Sequence, residues 1–286
     1  MPGVRAFTEL RLVNGSAGDP ALFLDFAGPD DAFLFDAGDL GALDVGRLAG
    51  LEAVLLTHFH MDHFVGFDRV LRANLDRAKT LRIVGPGGTI RRVYDRIRSY
   101  DIPFFPFQQL ALRVEEILPG RRRSALLECA RRFPPPDVTE AAWEGPTVYE
   151  DAGLRVEAAF TDHTVPGLAY AVADAAGGRL AFVTDTAWSE AARPGLLRLA
   201  QGAFRLYCDS YYAEADGGRA DLHRHMTATR AAEFARLAGV GELVLMHFAP
   251  RYAGRYGELV AEAAAGFPRV SADLSCGAPA WGVRPP

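Results

Sequence analysis

Seven histidines stand in the 286-residue sequence, and three of them crowd into one short stretch, His58-x-His60-x-Asp62-His63. Imidazole nitrogen and carboxylate oxygen are the ligand types taken by zinc and, with less selectivity, by iron or manganese. The stretch follows the apolar run Ala53 to Leu56. A chain leaving a strand places residues i and i+2 on one side, so His58 and His60 can reach one ion together. The turn that follows can aim Asp62 and His63 at a second point close by. Burying four such groups without partners would be costly, so the pattern predicts metal binding.

The later sequence offers further ligands at equivalent places. His163 follows the strand-like run Leu154 to Phe160, Asp185 follows Arg179 to Val183 in Thr184-Asp185-Thr186, and His247 follows Leu243 to Met246. Each stands at the carboxyl end of an apolar strand, where α/β proteins collect catalytic groups. Together these residues complete two coordination spheres, with Asp185 able to bridge through its two oxygens. The expected cofactors are two divalent metal ions, zinc first, with iron or manganese as alternatives.

The elements that must hold these residues are legible as alternating runs. Leu10 to Asn14, Ala21 to Phe26 and Ala32 to Phe35 read as strands, split by turn clusters at Gly15 to Pro20 and Gly28 to Asp31. Val65 to Arg77 has helical spacing, Leu81 to Val84 reads as a strand and Ile90 to Tyr100 as a helix. Ala111 to Ile117 alternates like a strand. In the second half Leu168 to Val172 and Phe204 to Cys208 read as strands. Trp188 to Ala200, Thr227 to Leu237 and Tyr256 to Ala265 read as helices. No Gly-, Ser- or Pro-rich linker separates two cores, so residues 1–286 are expected to form a single α/β domain.

Composition excludes several classes. Apolar residues are 49%, charged residues 23% and the formal net charge is −5, which is ordinary globular composition with no global basic field for DNA. No run of about 18 apolar residues occurs, and Met1 to Arg5 does not open a signal peptide, so a cytoplasmic protein with no membrane contact is expected. Cys129, Cys208 and Cys276 form no CxxC pair and are expected as free thiols. One lysine stands against thirty arginines. Arg121 to Arg123 and Arg131-Arg132 bracket the apolar run Ala125 to Ala130, which fits an edge strand with polar ends or a local RNA grip.

With these motifs in place, nearly the whole chain resembles the metallo-β-lactamase superfamily. Phe35-Asp36-Ala37-Gly38 is similar to its early aspartate motif and His58 to His63 to its H-x-H-x-D-H signature. His163, Asp185 and His247 match the remaining ligand motifs in order. The resemblance implies a four-layer αββα fold, two mixed sheets packed face to face with helices outside. It implies one metal on His58, His60 and His163, another on Asp62, His63 and His247, and Asp185 between them. Asp36 would hold the ligand loop rather than a metal. The C-terminal half resembles the ribonuclease Z-like phosphodiesterases in His163 to Tyr170, in His225-Met-Thr-Ala228 and in Leu245 to Tyr252. Asp209 stands where that branch has a glutamate paired with the helix-opening histidine.

Two departures from that branch are visible. Only 21 residues separate His163 from Asp185, where ribonuclease Z carries a long glycine- and proline-rich arm that grips tRNA. The branch's glycine with its phosphate-binding loop is not evident either. The function the resemblance implies is hydrolysis of a phosphodiester by a metal-bridging hydroxide, with Asp62, His225 and Asp209 as the catalytic group. His225, held by Asp209, would stabilise phosphoryl charge or protonate the leaving oxygen, and capping of a helix is the plainer role for it. Arg251 and Tyr252 fit either an anionic substrate or a structural salt bridge, and His223 matches no motif. The substrate is a small phosphodiester or RNA, and relatives are often homodimers. Alternatives are tRNA 3′-processing, hydrolysis of a lactone, sulfate ester or thioester, and a non-catalytic binding module of the same fold.

Overall fold

The computed structural model describes residues 5–275 apart from 27 and 29, so Met1 to Val4 and Cys276 lie outside the described residues. The described chain divides into two compact units, one built on residues 8–11 and 21–145, the other on 5–7, 12–20 and 146–275.

The first unit carries one mixed sheet whose strands neighbour each other in chain order: β1 (Glu9–Leu12), β2 (Leu22–Asp25), β3 (Ala32–Phe35), β4 (Leu51–Leu55), β5 (Thr80–Pro86), β6 (Ala111–Leu118), β7 (Arg121–Glu128) and β8 (Thr139–Ala142). The pairs from β3 to β6 are parallel, and the β2–β3, β6–β7 and β7–β8 pairs are antiparallel. Parallel neighbours need crossovers. These are α1 (Val45–Ala49) before β4, α2 (Met61–Phe64) and α3 (Phe67–Asn74) before β5, and α4 (Thr89–Arg98) before β6. In α4, Ile90, Val93 and Ile97 are buried at helical spacing while arginines take the other face. Each such burial stabilises by about 1.5–3 kcal/mol.

The second unit carries β9 (Thr147–Glu150), β10 (Leu154–Phe160), β11 (Leu168–Asp174), β12 (Arg179–Val183), β13 (Arg205–Asp209), β14 (Leu243–Met246) and β15 (Val270–Ser271), again neighbours in chain order. β9 to β12 pair antiparallel and β12 to β15 parallel. The crossovers are α5 (Arg193–Ala200), α6 (Gly217–His223) with α7 (Ala228–Ala238), and α8 (Tyr256–Gly266). Thr227 caps α7 by accepting from the Arg230 N–H, and Gly239 ends it at φ 64°. Because β10 and β12 are each antiparallel to β11, the carboxyl ends of β10, β12, β13 and β14 all fall on one edge of this sheet.

Two local expectations change. The helix expected from Trp188 begins at Arg193, with Pro194 in its first turn. The residues before it instead seat Trp188, whose indole N–H donates to Glu233 at 3.1 Å and whose ring lies under the Arg193 guanidinium. The arginine end of β7 is not an edge, because β8 pairs with Arg121 to Ser124, while β8 does not reach the apolar end from Ala125. β8 escapes sequence reading since all four of its residues are exposed, which leaves no apolar alternation to detect. Cys129 and Cys208 are buried free thiols, and burial pushes the Cys208 thiol well up.

Candidate metal centre

In the first unit the ligand motif springs from the carboxyl end of β4. His60 is the extended N-cap of the short helix α2, which puts Asp62 in its first turn and His63 behind it. The imidazoles converge: the His58 ring centroid lies 4.5 Å from that of His60 and 4.0 Å from that of His63. His63 Nε2 and Asp62 Oδ2 are 3.5 Å apart, the spacing of two ligands on one ion.

Asp36, in the loop after β3, organises this cluster. It is fully buried and accepts from Thr57 N at 2.7 Å and from the Thr57 hydroxyl at 2.8 Å. Its Oδ2 also lies 2.8 Å from His63 Nδ1. A carboxylate can only accept, so His63 carries its proton on Nδ1 and keeps the Nε2 lone pair for a cation. The Thr57 proton is committed to Asp36, so His58 Nδ1, 3.0 Å from the same hydroxyl, must donate to it. His58 is thereby fixed in the same tautomer. Burial pushes the Asp36 carboxyl up, and His63 and Thr57 offset this only in part.

In the second unit four acidic and imidazole side chains meet at the shared strand edge. Ligand atoms of Asp185, Asp209, His225 and His247 lie within 4.8 Å of one another, and all four residues are buried. Asp185 turns one oxygen to each side: Oδ2 is 3.5 Å from His163 Nε2 and Oδ1 is 3.2 Å from His247 Nδ1. His163 Nδ1 donates to the Arg224 carbonyl at 3.0 Å, which puts its Nε2 lone pair on the side of Asp185. His225 Nδ1 lies 2.9 Å from Asp209 Oδ2, and its Nε2 is 3.9 Å from Asp185 Oδ2. Burial raises the Asp209 carboxyl, but the facing His225, bonded to it at 2.9 Å, and the nearby His247 outweigh it and hold the group below the usual carboxylate range.

Backbone strain marks both clusters. Asp36, Asp185 and His247 sit at φ 56°, 50° and 60°, and Arg224 beside His225 at 60°. Left-handed backbone at non-glycine residues costs about 1–3 kcal/mol each and gathers where side chains must be aimed. Imidazole and carboxylate donors, buried and converging in this way, suit divalent cations in both clusters.

Several residues in this machinery carry no sequence signal of their own. Thr57 is known only as the neighbour of His58. Tyr211 stacks on the His225 ring at 4.4 Å and 17°. Arg224 pairs with Asp162 at 3.0 Å while its carbonyl holds His163. His223 is exposed on α6 and bonds the Tyr212 hydroxyl at 2.6 Å. Arg251 pairs with Asp216 at 3.5 Å, and the Tyr252 hydroxyl, pushed up to about 12 by burial and by Asp216, donates to the same carboxylate. Arg121 and Arg123 share Glu140, Arg122 faces Glu115 and Arg131 pairs with Glu128, so much of the basic run is ion-paired.

Comparison with known proteins places this geometry in a family. The beta-lactamase superfamily domain matches residues 27–248, which include all seven proposed ligands. Ribonuclease Z of Streptomyces coelicolor is 31% identical, over 78% of this chain and 78% of its own length. Ribonuclease Z of Deinococcus radiodurans is 26% identical over 77% of this chain and 82% of its own. Among solved structures, the metallo-beta-lactamase fold protein YhfI from Bacillus subtilis superposes with a TM-score of 0.63 at 18% identity, covering 92% of this chain and 95% of its own. The short form of human tRNase Z gives 0.61 at 21% identity, covering 86% and 93%. These two show the fold, two mixed sheets with their helices. The chain belongs to the metallo-β-lactamase superfamily, in its ribonuclease Z-like branch.

Proposed function

We propose that the protein is a metal-dependent hydrolase of phosphodiesters. The observation that carries this reading is Asp185, whose two oxygens face His163 on one side and His247 on the other. That is the arrangement of a carboxylate shared between two cations. By the family's ligand pattern, His58, His60 and His163 would hold one divalent cation and Asp62, His63 and His247 the other, with Asp185 offering an oxygen to each, and zinc suits this donor set. Bound divalent cations acidify water near neutral pH and offset charge on a phosphoryl oxygen.

The chain's own groups do the rest. Asp36 and Thr57 fix the tautomers of His63 and His58, and the Arg224 carbonyl fixes that of His163. His225 presents Nε2 toward the centre with Nδ1 held by Asp209, which suits donation of a proton to the leaving oxygen.

The substrate is a small or locally held phosphodiester. The segment between His163 and Asp185 is a β11–β12 hairpin turning at residues 175–178, with no room for a gripping arm. The ion-paired arginines of β7 support the same choice. Identity with ribonuclease Z keeps tRNA 3′-processing as a second reading. Zinc-loaded protein assayed in parallel on bis-p-nitrophenyl phosphate, cyclic nucleotides and precursor tRNA tests both. Turnover of the small diesters without tRNA cleavage is expected. Cleavage of precursor tRNA at its 3′ trailer would favour the second reading, and hydrolysis of none of the three would overturn both.

A further inference from the structure

The turn cluster around Ser16 has no part in the mechanism above, yet it reaches the strand end that carries His247. Ser16 is 0% exposed. Its hydroxyl donates to the Leu245 carbonyl at 2.6 Å and accepts from the Asp273 N–H at 2.9 Å. Its own carbonyl accepts from the Phe248 N–H at 3.0 Å, and its N–H donates to the Asp273 carbonyl at 2.7 Å. Donor and acceptor capacity of one short residue is therefore spent on the chain two positions before His247, one position after it, and the C-terminal segment beyond.

The placement is specific to a strained ligand. β14 ends at Met246, and His247 turns out of it at φ 60°. A residue in that region relaxes toward right-handed or extended backbone unless both flanks are held. Leu245 and Phe248 are those flanks. Ala17 and Phe248 lie in the same buried apolar cluster, so the loop is anchored by packing as well.

We propose that Ser16 is a positioning residue for the metal centre: it clamps the backbone on both sides of His247 and so holds that imidazole in ligand geometry. The inference rests on His247 being a ligand, as read above. Loss of the hydroxyl frees the Leu245 carbonyl and the Asp273 N–H, lets the 245–248 turn relax and weakens one ion selectively.

The test compares Ser16→Ala, Ser16→Thr, Ser16→Gly and His247→Ala in metal content after dialysis against graded zinc, with the melting of each metal-free protein as a second readout. Ser16→Ala is expected to hold one of two ions about 10- to 100-fold more weakly, the usual cost of removing a group that orients a ligand. Its metal-free melting should fall by only a few degrees, the cost of two buried backbone groups left without the hydroxyl. Ser16→Thr, which keeps the hydroxyl, is expected to restore the second ion. If Ser16→Ala does not fold, Ser16→Gly deletes the same hydroxyl and leaves room for a water at the Leu245 carbonyl and the Asp273 N–H, and weakening of the same single ion is expected. Two tightly held ions in the Ser16→Ala protein, or in the Ser16→Gly protein where that one is used, overturn the proposal. So does a lowered metal-free melting with both ions retained, which is the mark of a purely structural role. Two ions retained in His247→Ala would instead overturn the ligand assignment on which it rests.

Discussion

His225 Nδ1 lies 2.9 Å from Asp209 Oδ2 at the buried end of β13, and the Tyr211 N–H donates to the other oxygen of the same carboxylate at 3.1 Å. A buried carboxylate with these donors is held below its usual range by His225 and its hydrogen bonds, against the raising effect of burial. A carboxyl depressed in the folded state contributes stability at pH above its unfolded value, and that contribution is lost as pH falls through the folded value. Asp209→Asn should therefore destabilise the metal-free protein by about 1.5–3 kcal/mol near neutrality, the worth of hydrogen bonds to a charged group. The gap between the two proteins should close as pH falls through and below the ordinary carboxylate range. Thermal melts of both across that range provide the check, and a gap that widens on acidification contradicts the assignment.

The same pair separates chemistry from metal binding. His225 sits with its Nε2 3.9 Å from Asp185, and its Nδ1 is occupied by Asp209. His225→Ala is expected to retain both ions by metal analysis and to lose turnover of bis-p-nitrophenyl phosphate by about 10²- to 10⁴-fold, the range for a removed general acid. Undiminished kcat would exclude His225 as the proton donor and leave it a structural partner of Asp209, since the cap of α7 is Thr227.

Thr57 offers a subtler test of the first cluster. Its hydroxyl is the hinge between Asp36 at 2.8 Å and His58 at 3.0 Å. Thr57→Val keeps the shape and deletes the hydroxyl, so His58 loses its fixed tautomer and Asp36 loses one of three donors. A destabilisation of about 1–3 kcal/mol is expected, with zinc affinity falling about tenfold or more. Zinc titration with a competing chelator measures the second effect. Parental affinity in the variant would show that His58 needs no such partner.

The parts of this site that sequence shows are those written over short distances. The i, i+2 spacing of His58 and His60, and the apolar runs ending just before His163, Asp185 and His247, follow from strand geometry alone. The strands themselves were legible because β3, β4 and β14 are almost wholly buried and read as continuous apolar runs. What sequence hides is long-range: Ser16 against Leu245, Asp36 against Thr57, and the Arg224 carbonyl against His163. Backbone groups have no residue identity to read, and a hydroxyl that orients an imidazole looks like any other. Left-handed backbone at Asp185 and His247 is equally silent, since neither residue is a glycine.

Gly66 shows how tightly that hidden geometry is built. It follows the ligand helix α2, and its N–H donates to the Ala37 carbonyl at 2.8 Å, while the Ala37 N–H donates to the His63 carbonyl at 2.9 Å. The Asp36 loop and the ligand helix are thus laced together through main chain. A Cβ at Gly66 would stand 2.0 Å from the Gly38 carbonyl oxygen and 2.8 Å from Leu40 Cγ. Backbone oxygen cannot swing aside as a flexible side chain can, so the loop must withdraw and carry Asp36 away from His63. Gly66→Ala is expected to cost about 1–3 kcal/mol through overpacking and to weaken zinc binding along with it. Its backbone is right-handed, at φ −82° and ψ −4°, so conformational strain does not compete with this explanation. Melting and zinc titration of the variant should fall together; loss of stability with parental zinc affinity would uncouple the Asp36 loop from the ligands.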